Sequence, residues 1–130
     1  MPKTKKSAIL IVEDETDLRT LLKDKLENEG FDVLEAENGK LGLDSALAHH
    51  PDAILLDVIM PVMDGITMLK ELRQDEWGRS VLVIILSNLG EAEKITEGLE
   101  KNVFGYLVKS NWEPTDVVTL IRKKLAERNG

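Results

Sequence analysis

The sequence predicts an α/β domain built on a doubly wound, five-stranded parallel sheet with helices on both faces. Two observations predict it. Five short apolar runs alternate with five segments of helical period, the pattern left by repeated strand–helix units. The third run, Ala53 to Leu56, is apolar throughout rather than at alternate positions, as a strand covered on both faces is.

The first run, Ala8 to Val12, precedes Leu18, Leu21, Leu22 and Leu26 at intervals of three and four, a helix that Gly30 terminates. Asp32 to Ala36 form the second run. Leu43, Ala46 and Leu47 mark the second helix, and Pro51 follows its end. Ala53 to Leu56 form the third strand, and Met68, Leu69 and Leu72 carry the helix after it. The fourth strand is Val81 to Leu86. In the next segment only Ile95 and Leu99 stand among Glu91, Glu93, Lys94, Glu97, Glu100 and Lys101, so the fourth helix has a thin apolar face and is the least firmly docked. Phe104 to Val108 is the last strand. The last helix, about Thr115 to Glu127, buries Val117, Val118, Ile121 and Leu125. Right-handed crossovers then give the flavodoxin-like strand order 2-1-3-4-5, in which ligands bind beyond the carboxyl ends of the strands, between strands 1 and 3.

At 130 residues the chain forms one domain, with residues 1–6 a basic disordered tail and 7–130 the folded unit. Its 42% apolar and 32% charged residues are ordinary for a soluble intracellular protein, and no apolar stretch approaches a membrane span. The apolar stretch after the basic start is too short for a signal peptide, so the expected location is cytoplasmic. Cysteine is absent, which excludes disulfides, thiolate metal sites and a thiol nucleophile. Seventeen basic against 24 acidic residues leave a net charge of −7, which argues against direct nucleic acid binding. The basic cluster Arg122, Lys123, Lys124 and Arg128 falls in the last turns of a helix, where cations complement the dipole.

The residues at the strand ends decide the function. Strand 1 runs into Glu13-Asp14-Glu15, and strand 3 runs into Asp57, followed by Met60-Pro61 and Asp64-Gly65. A carboxylate at the end of a buried strand is costly unless something compensates it, although Asp57 could also cap a helix or open a turn. Adjacent strands would bring Glu13, Asp14 and Asp57 into one crevice. Such carboxylates need a cation, and oxygen-only ligation by so few acids suits Mg²⁺ better than Ca²⁺. The acids around Glu13 could equally be an ordinary helix N-terminus. Strand 4 adds Ser87 and strand 5 adds Lys109. Acids, a nucleophilic carboxylate, a hydroxyl and an ammonium at one rim are the parts of phosphoryl transfer.

On these residues, together with Tyr106, the chain resembles a receiver domain of two-component response regulators, most similar to single-domain regulators of the chemotaxis type, from about Ser7 to Glu127. The resemblance implies that Asp57 accepts a phosphoryl group from the phosphohistidine of a histidine kinase or phosphotransfer protein, or from a small phosphodonor. It implies Mg²⁺ held by Glu13, Asp14, Asp57 and the backbone carbonyl of Ile59. Ser87 and Tyr106 would form the switch pair, although strand alternation alone makes Tyr106 a half-buried aromatic. The surface of helix 4, strand 5 and helix 5 would meet a downstream protein target. The domain would be a monomer or a weak phosphorylation-dependent dimer, and no enzyme beyond its own phosphotransfer and autodephosphorylation.

The chain departs from the family at Ser110, where Pro usually follows the conserved Lys, and at Asn88, where Ala or Gly is usual. A cis bond before Ser110 would cost about 3 kcal/mol, and Asn88 narrows access to Asp57. Ile59 and Leu89, which could be no more than rim packing, would flank the path of a hydrolysing water and cannot orient it. A persistent phosphoryl-aspartate is therefore expected, and Leu89→Asn should shorten its life; an unchanged decay rate would count against this. Trp77 reads as a packing lid, as does Trp112, which could also report on the site. His49 and His50 read as an exposed helix end. A flavodoxin-type nucleotide site would need a phosphate-cradling loop where Glu13-Asp14-Glu15 stands. A dehalogenase-type phosphatase would need Asp where Ile59 stands. The remaining alternative is a pseudo-receiver, an interaction scaffold that is not phosphorylated. Either a single-domain regulator or a receiver cut from a longer chain is expected, with the helix ending at Asn129-Gly130 slightly favouring the first.

Overall fold

The computed structural model describes the backbone of residues 6–87, 105–108 and 113–129, and the side chains of residues 6–86 and 113–127. The helix expected around Ile95 and Leu99, the tail residues 1–5, and Asn88, Leu89, Lys109, Ser110 and Trp112 lie outside the described residues.

In chain order the elements are β1 (Ala8–Val12), α1 (Thr16–Asn28), β2 (Asp32–Ala36), α2 (Gly39–His49), β3 (Ala53–Asp57), α3 (Gly65–Leu72), β4 (Leu82–Ser87), β5 (Gly105–Val108) and α4 (Pro114–Asn129). The strands form a parallel sheet in the order β2-β1-β3-β4-β5. Alternation along the strands divides the core in two. Leu10, Val12, Ile54, Leu56, Val83 and Ile85 point to the face covered by α2 and α3, where Leu43, Ala46, Met68, Leu69 and Leu72 close the layer. Ile9, Ile11, Ala53, Leu55, Leu82, Ile84 and Leu86 point the other way, onto Leu22 and Leu26 of α1 and Val117, Val118, Ile121 and Leu125 of α4. Burial on both faces is why β1, β3 and β4 read as continuously apolar.

Three helix boundaries have a clear local cause. At the end of α1, the Gly30 N–H donates to Glu27 O and the Phe31 N–H to Leu26 O, both near 3 Å. Gly30 sits at φ +97°, and Phe31 joins Leu26 in the core, which together make a Schellman stop. Asn38 caps α2 by accepting the Leu41 N–H at 2.9 Å, and Asp64 caps α3 by accepting the Thr67 N–H at 2.7 Å. Two expectations for the core fail. Leu21 and Leu47 are exposed, because each lies at the edge of its helical stripe, turned away from the axis of the buried set. Strand ends also shift by one residue, β3 including Asp57 and β4 running from Leu82 to Ser87.

The sheet has two unlike ends. At the end where β3 begins, exposed His50 takes a left-handed conformation (φ 48°) and stacks on Trp77, ring centroids 4.2 Å apart and 9° from parallel. Trp77 packs against the α2/α3 layer as a lid, as the sequence suggested. The acidic residues gather at the opposite end.

Candidate functional site

Glu13 is the first residue beyond β1, and it stays in the ladder: its N–H donates to Ala36 O at 3.0 Å. Its side chain is completely buried, and Oε2 accepts the Glu15 N–H at 3.0 Å. Its main-chain oxygen accepts a hydrogen bond from Arg19 Nη1 at 2.7 Å. Asp14 follows and is exposed. Asp57 closes β3 with 3% of its surface exposed, and the Val58 N–H donates to its Oδ1 at 2.8 Å. Carboxylate oxygens of Glu13, Asp14 and Asp57 lie within 4.8 Å of one another.

The loop after Asp57 is drawn tightly against the strand. The Gly65 N–H donates to Val58 O at 2.8 Å, and a Cβ on Gly65 would collide with the Asp57 carbonyl oxygen. Gly39, at the start of α2, donates its N–H to Met63 O at 2.9 Å, which ties this loop to the neighbouring one. Between them Val62 has φ 69° and spans a turn closed by the Met63 N–H on Pro61 O, a conformation strained for a β-branched residue. Ile59 and Val62 are 61% and 81% exposed on this loop, so Ile59 offers an apolar side chain to solvent beside the acids.

This geometry decides between readings that the residues left open. Asp57 is not the cap of α3, because Asp64 is. Glu13 and Asp14 precede α1, whose N-cap is Glu15 and whose first-turn acid is Asp17. Carboxylates gathered this closely disfavour one another's charge, and a cation among them offsets that. Helix capping accounts for neither Asp57 nor the grouping of the three acids, whereas a bound cation would. The donor set is all oxygen, with buried and solvent-facing members, and it fits a hard divalent ion that keeps some of its water, as Mg²⁺ does.

Of the other expected residues, the backbone of Ser87 ends β4, one step past the Leu86 that pairs with Asp57, and Ser87 pairs in turn with Val108 of β5. The backbone of Tyr106 lies within β5 opposite Ile85. Two contributors escaped the sequence reading: Arg19, which holds the Glu13 carbonyl, and Gly39, which ties the two loops. Neither carries a signal in a single sequence.

Comparison with known proteins agrees with this geometry. Residues 9–122 match the model of the response regulator receiver domain. The transcriptional regulatory protein SrrA of Staphylococcus aureus is 38% identical over 117 residues, covering 90% of this chain and 47% of that protein. The chain thus spans about half the length of the curated relatives it matches. Among solved structures, the chemotaxis response regulator CheY4 of Vibrio cholerae superposes with a TM-score of 0.83 at 27% identity, covering 92% of this chain and 98% of that one. A CheY-like response regulator receiver domain protein from Methanospirillum hungatei gives 0.86 at 26% identity, covering 96% and 98%. Among the described residues no helix is long and apolar enough to cross a membrane. With a match that runs from β1 into α4, the chain belongs to the response regulator receiver domain family of two-component systems.

Proposed function

We propose that the domain is a phosphorylation-driven switch in which Asp57 accepts a phosphoryl group from the phosphohistidine of a histidine kinase or phosphotransfer protein, or from a small phosphodonor. The observation that supports this reading is the meeting of Asp57, at the end of a buried strand, with Glu13 and Asp14 within 4.8 Å. An Asp57 carboxylate oxygen attacks phosphorus in line with the leaving nitrogen. The O–P bond forms as the P–N bond breaks, and the imidazole keeps the bonding pair and retains or takes up a proton. The Val58 N–H fixes the carboxylate for that approach.

Glu13, Asp14, Asp57 and the main-chain carbonyl of Ile59 would hold Mg²⁺, which when bound offsets the charge of the phosphoryl oxygens. The Lys109 ammonium, next in sequence after Val108, would do the same, and the Ser87 hydroxyl would donate to a phosphoryl oxygen while Tyr106 reorients. The switch biases a pre-existing equilibrium, read by a downstream protein on the surface formed by the segment between β4 and β5, β5 itself and α4. The negative net charge of −7 favours a protein target over nucleic acid, and the chemistry suits the cytoplasm.

The test is to incubate wild type and Asp57→Ala with a small phosphodonor, with and without Mg²⁺, and to measure intact mass. The expected result is a one-phosphoryl increment in wild type that needs Mg²⁺ and is absent in the variant. An increment that survives Asp57→Ala, or none in wild type, overturns the reading.

A further inference from the structure

Arg19 lies in the second turn of α1, and its charge there opposes the helix dipole. It is nonetheless held in place, with only 15% of its side chain exposed. Helical side chains lean toward the N-terminus over the preceding turn, which aims this guanidinium back at the acidic turn. Nη1 donates to Glu13 O at 2.7 Å and Nε to Glu35 Oε1, on β2, at 3.3 Å. The Arg19 main-chain N–H donates to Glu15 O at 2.9 Å. That last bond is the ordinary first bond of α1, so the side chain's own hold on the turn is at the Glu13 carbonyl, while the Glu15 N–H closes the middle on Glu13 Oε2. The Glu13 carbonyl sits where β1 leaves the sheet, and the guanidinium takes the place of a ladder donor.

We infer that Arg19 is a positioning residue for the cation site: by holding the Glu13 carbonyl its guanidinium fixes the turn that presents the Glu13 and Asp14 carboxylates to Asp57. The inference rests on the Mg²⁺ reading above. It assigns Arg19 the part that groups behind metal ligands commonly play, whose loss weakens metal affinity about 10-fold or more. The bond to Glu35 anchors the guanidinium to β2 and is secondary to the grip on the carbonyl.

Mg²⁺ titration of the full chain, followed by amide chemical shifts of Glu13 to Glu15 and Val58 well below the melting temperature, tests it. Wild type, Arg19→Ala, Arg19→Lys, Glu35→Gln and Asp57→Asn are compared, with metal-free melting temperature measured separately. Arg19→Ala should weaken Mg²⁺ binding about 10-fold. Arg19→Lys, which keeps the charge but lacks the planar fork, should fall between it and wild type, and Glu35→Gln should stay within about twofold of wild type, well short of the loss at Arg19. If Arg19→Ala does not fold, the lysine variant carries the test. A wild-type affinity retained in both Arg19 variants, whatever their melting temperatures, overturns the inference while the Mg²⁺ site stands, provided that Asp57→Asn lowers affinity. A loss in Glu35→Gln equal to that in Arg19→Ala overturns it in favour of the ion pair. Absence of any Mg²⁺ response in wild type overturns the metal reading and this inference with it.

Discussion

Asp52, just before β3, and Asp57, its last residue, place the same side chain at opposite ends of one buried strand. Asp52 is exposed, and its Oδ2 accepts the Ala8 N–H at 2.7 Å while its own N–H donates to Ala8 O at 2.8 Å. That carboxylate completes the start of the β1/β3 ladder. Asp57 is buried and faces Glu13 and Asp14. Both acids accept a backbone N–H, but Asp52 does so in solvent while Asp57 does so buried and within 4.8 Å of two other carboxylates, so its charge is the more costly to place. Functional sites are where such local rules are broken.

The largest expected effect comes from moving the support of Asp57. Gly65→Ala would press a methyl group onto the Asp57 carbonyl oxygen, a backbone atom that cannot step aside as a side chain would. It should lower stability by about 3 kcal/mol, at the upper end of overpacking costs, and abolish phosphoryl acceptance. Urea unfolding and intact mass measure both. A wild-type midpoint would mean that the loop yields and that its close approach does not fix Asp57.

Next come the two acids themselves. Asp57→Asn keeps an oxygen for the Val58 N–H and removes one charge from the cluster, so metal-free stability should rise by about 1 to 2 kcal/mol. Asp52→Ala removes the acceptor of the Ala8 N–H and should lower it by about 1 kcal/mol. Urea curves in chelator give both values, and a common sign would break the contrast. Adding Mg²⁺ should narrow the Asp57→Asn advantage, because binding stabilises the wild type in proportion to occupancy.

A smaller effect belongs to the end of the sheet away from the acids. His50 combines a left-handed backbone with a stacked ring. His50→Ala loses the stack and keeps the strain, and should cost about 1 kcal/mol; His50→Gly relieves the strain as it loses the stack, and should fall within about 0.5 kcal/mol of wild type. Trp77 emission should change in both variants while phosphorylation does not. Phosphorylation impaired by either would show that the two ends are coupled.

What the sequence disclosed follows the same division. The apolar runs located β1, β3 and β4 to within one residue because burial on both faces leaves no polar position inside them. Asp57, Glu13 and Asp14 were legible because charge at a buried strand end is anomalous in one dimension as in three. Leu21 and Leu47 misled, since a helical period marks a face but not its edges. Arg19 and Gly39 were silent: an arginine in a charged helix and a glycine before one are common, and only tertiary neighbours show that one grips the Glu13 carbonyl and the other meets Met63 O. Trp77 was read correctly as a lid, but its partner His50 was not foreseen, because the stack depends on a left-handed turn that histidine seldom signals.

Glu29 supplies the third case, a carboxylate answered by cations, and the smallest predicted effect. At the C-terminal end of α1 it lies 3.3 Å from Lys25 Nζ and 3.0 Å from Arg122 Nη2 of α4, and Arg122 also donates to the Glu29 carbonyl. The hydrogen bond from Lys25 is the main cause that holds its carboxyl below the ordinary value of 4.5, with Arg122 adding to it and partial desolvation opposing. A depressed carboxylate binds its proton less readily folded than unfolded, so its stabilising effect is complete above about 4.5 and disappears as the pH falls through the lower folded value. Glu29→Gln should therefore melt slightly below wild type near neutral pH, and the two should converge in acid. Because these groups are solvent-facing, the difference should also shrink with added salt. Asp57→Asn should show the opposite sign at neutral pH, melting above wild type in chelator. If Glu29→Gln also melts above wild type, what faces a carboxylate does not decide its contribution, and the contrast drawn from Asp52 and Asp57 fails with it.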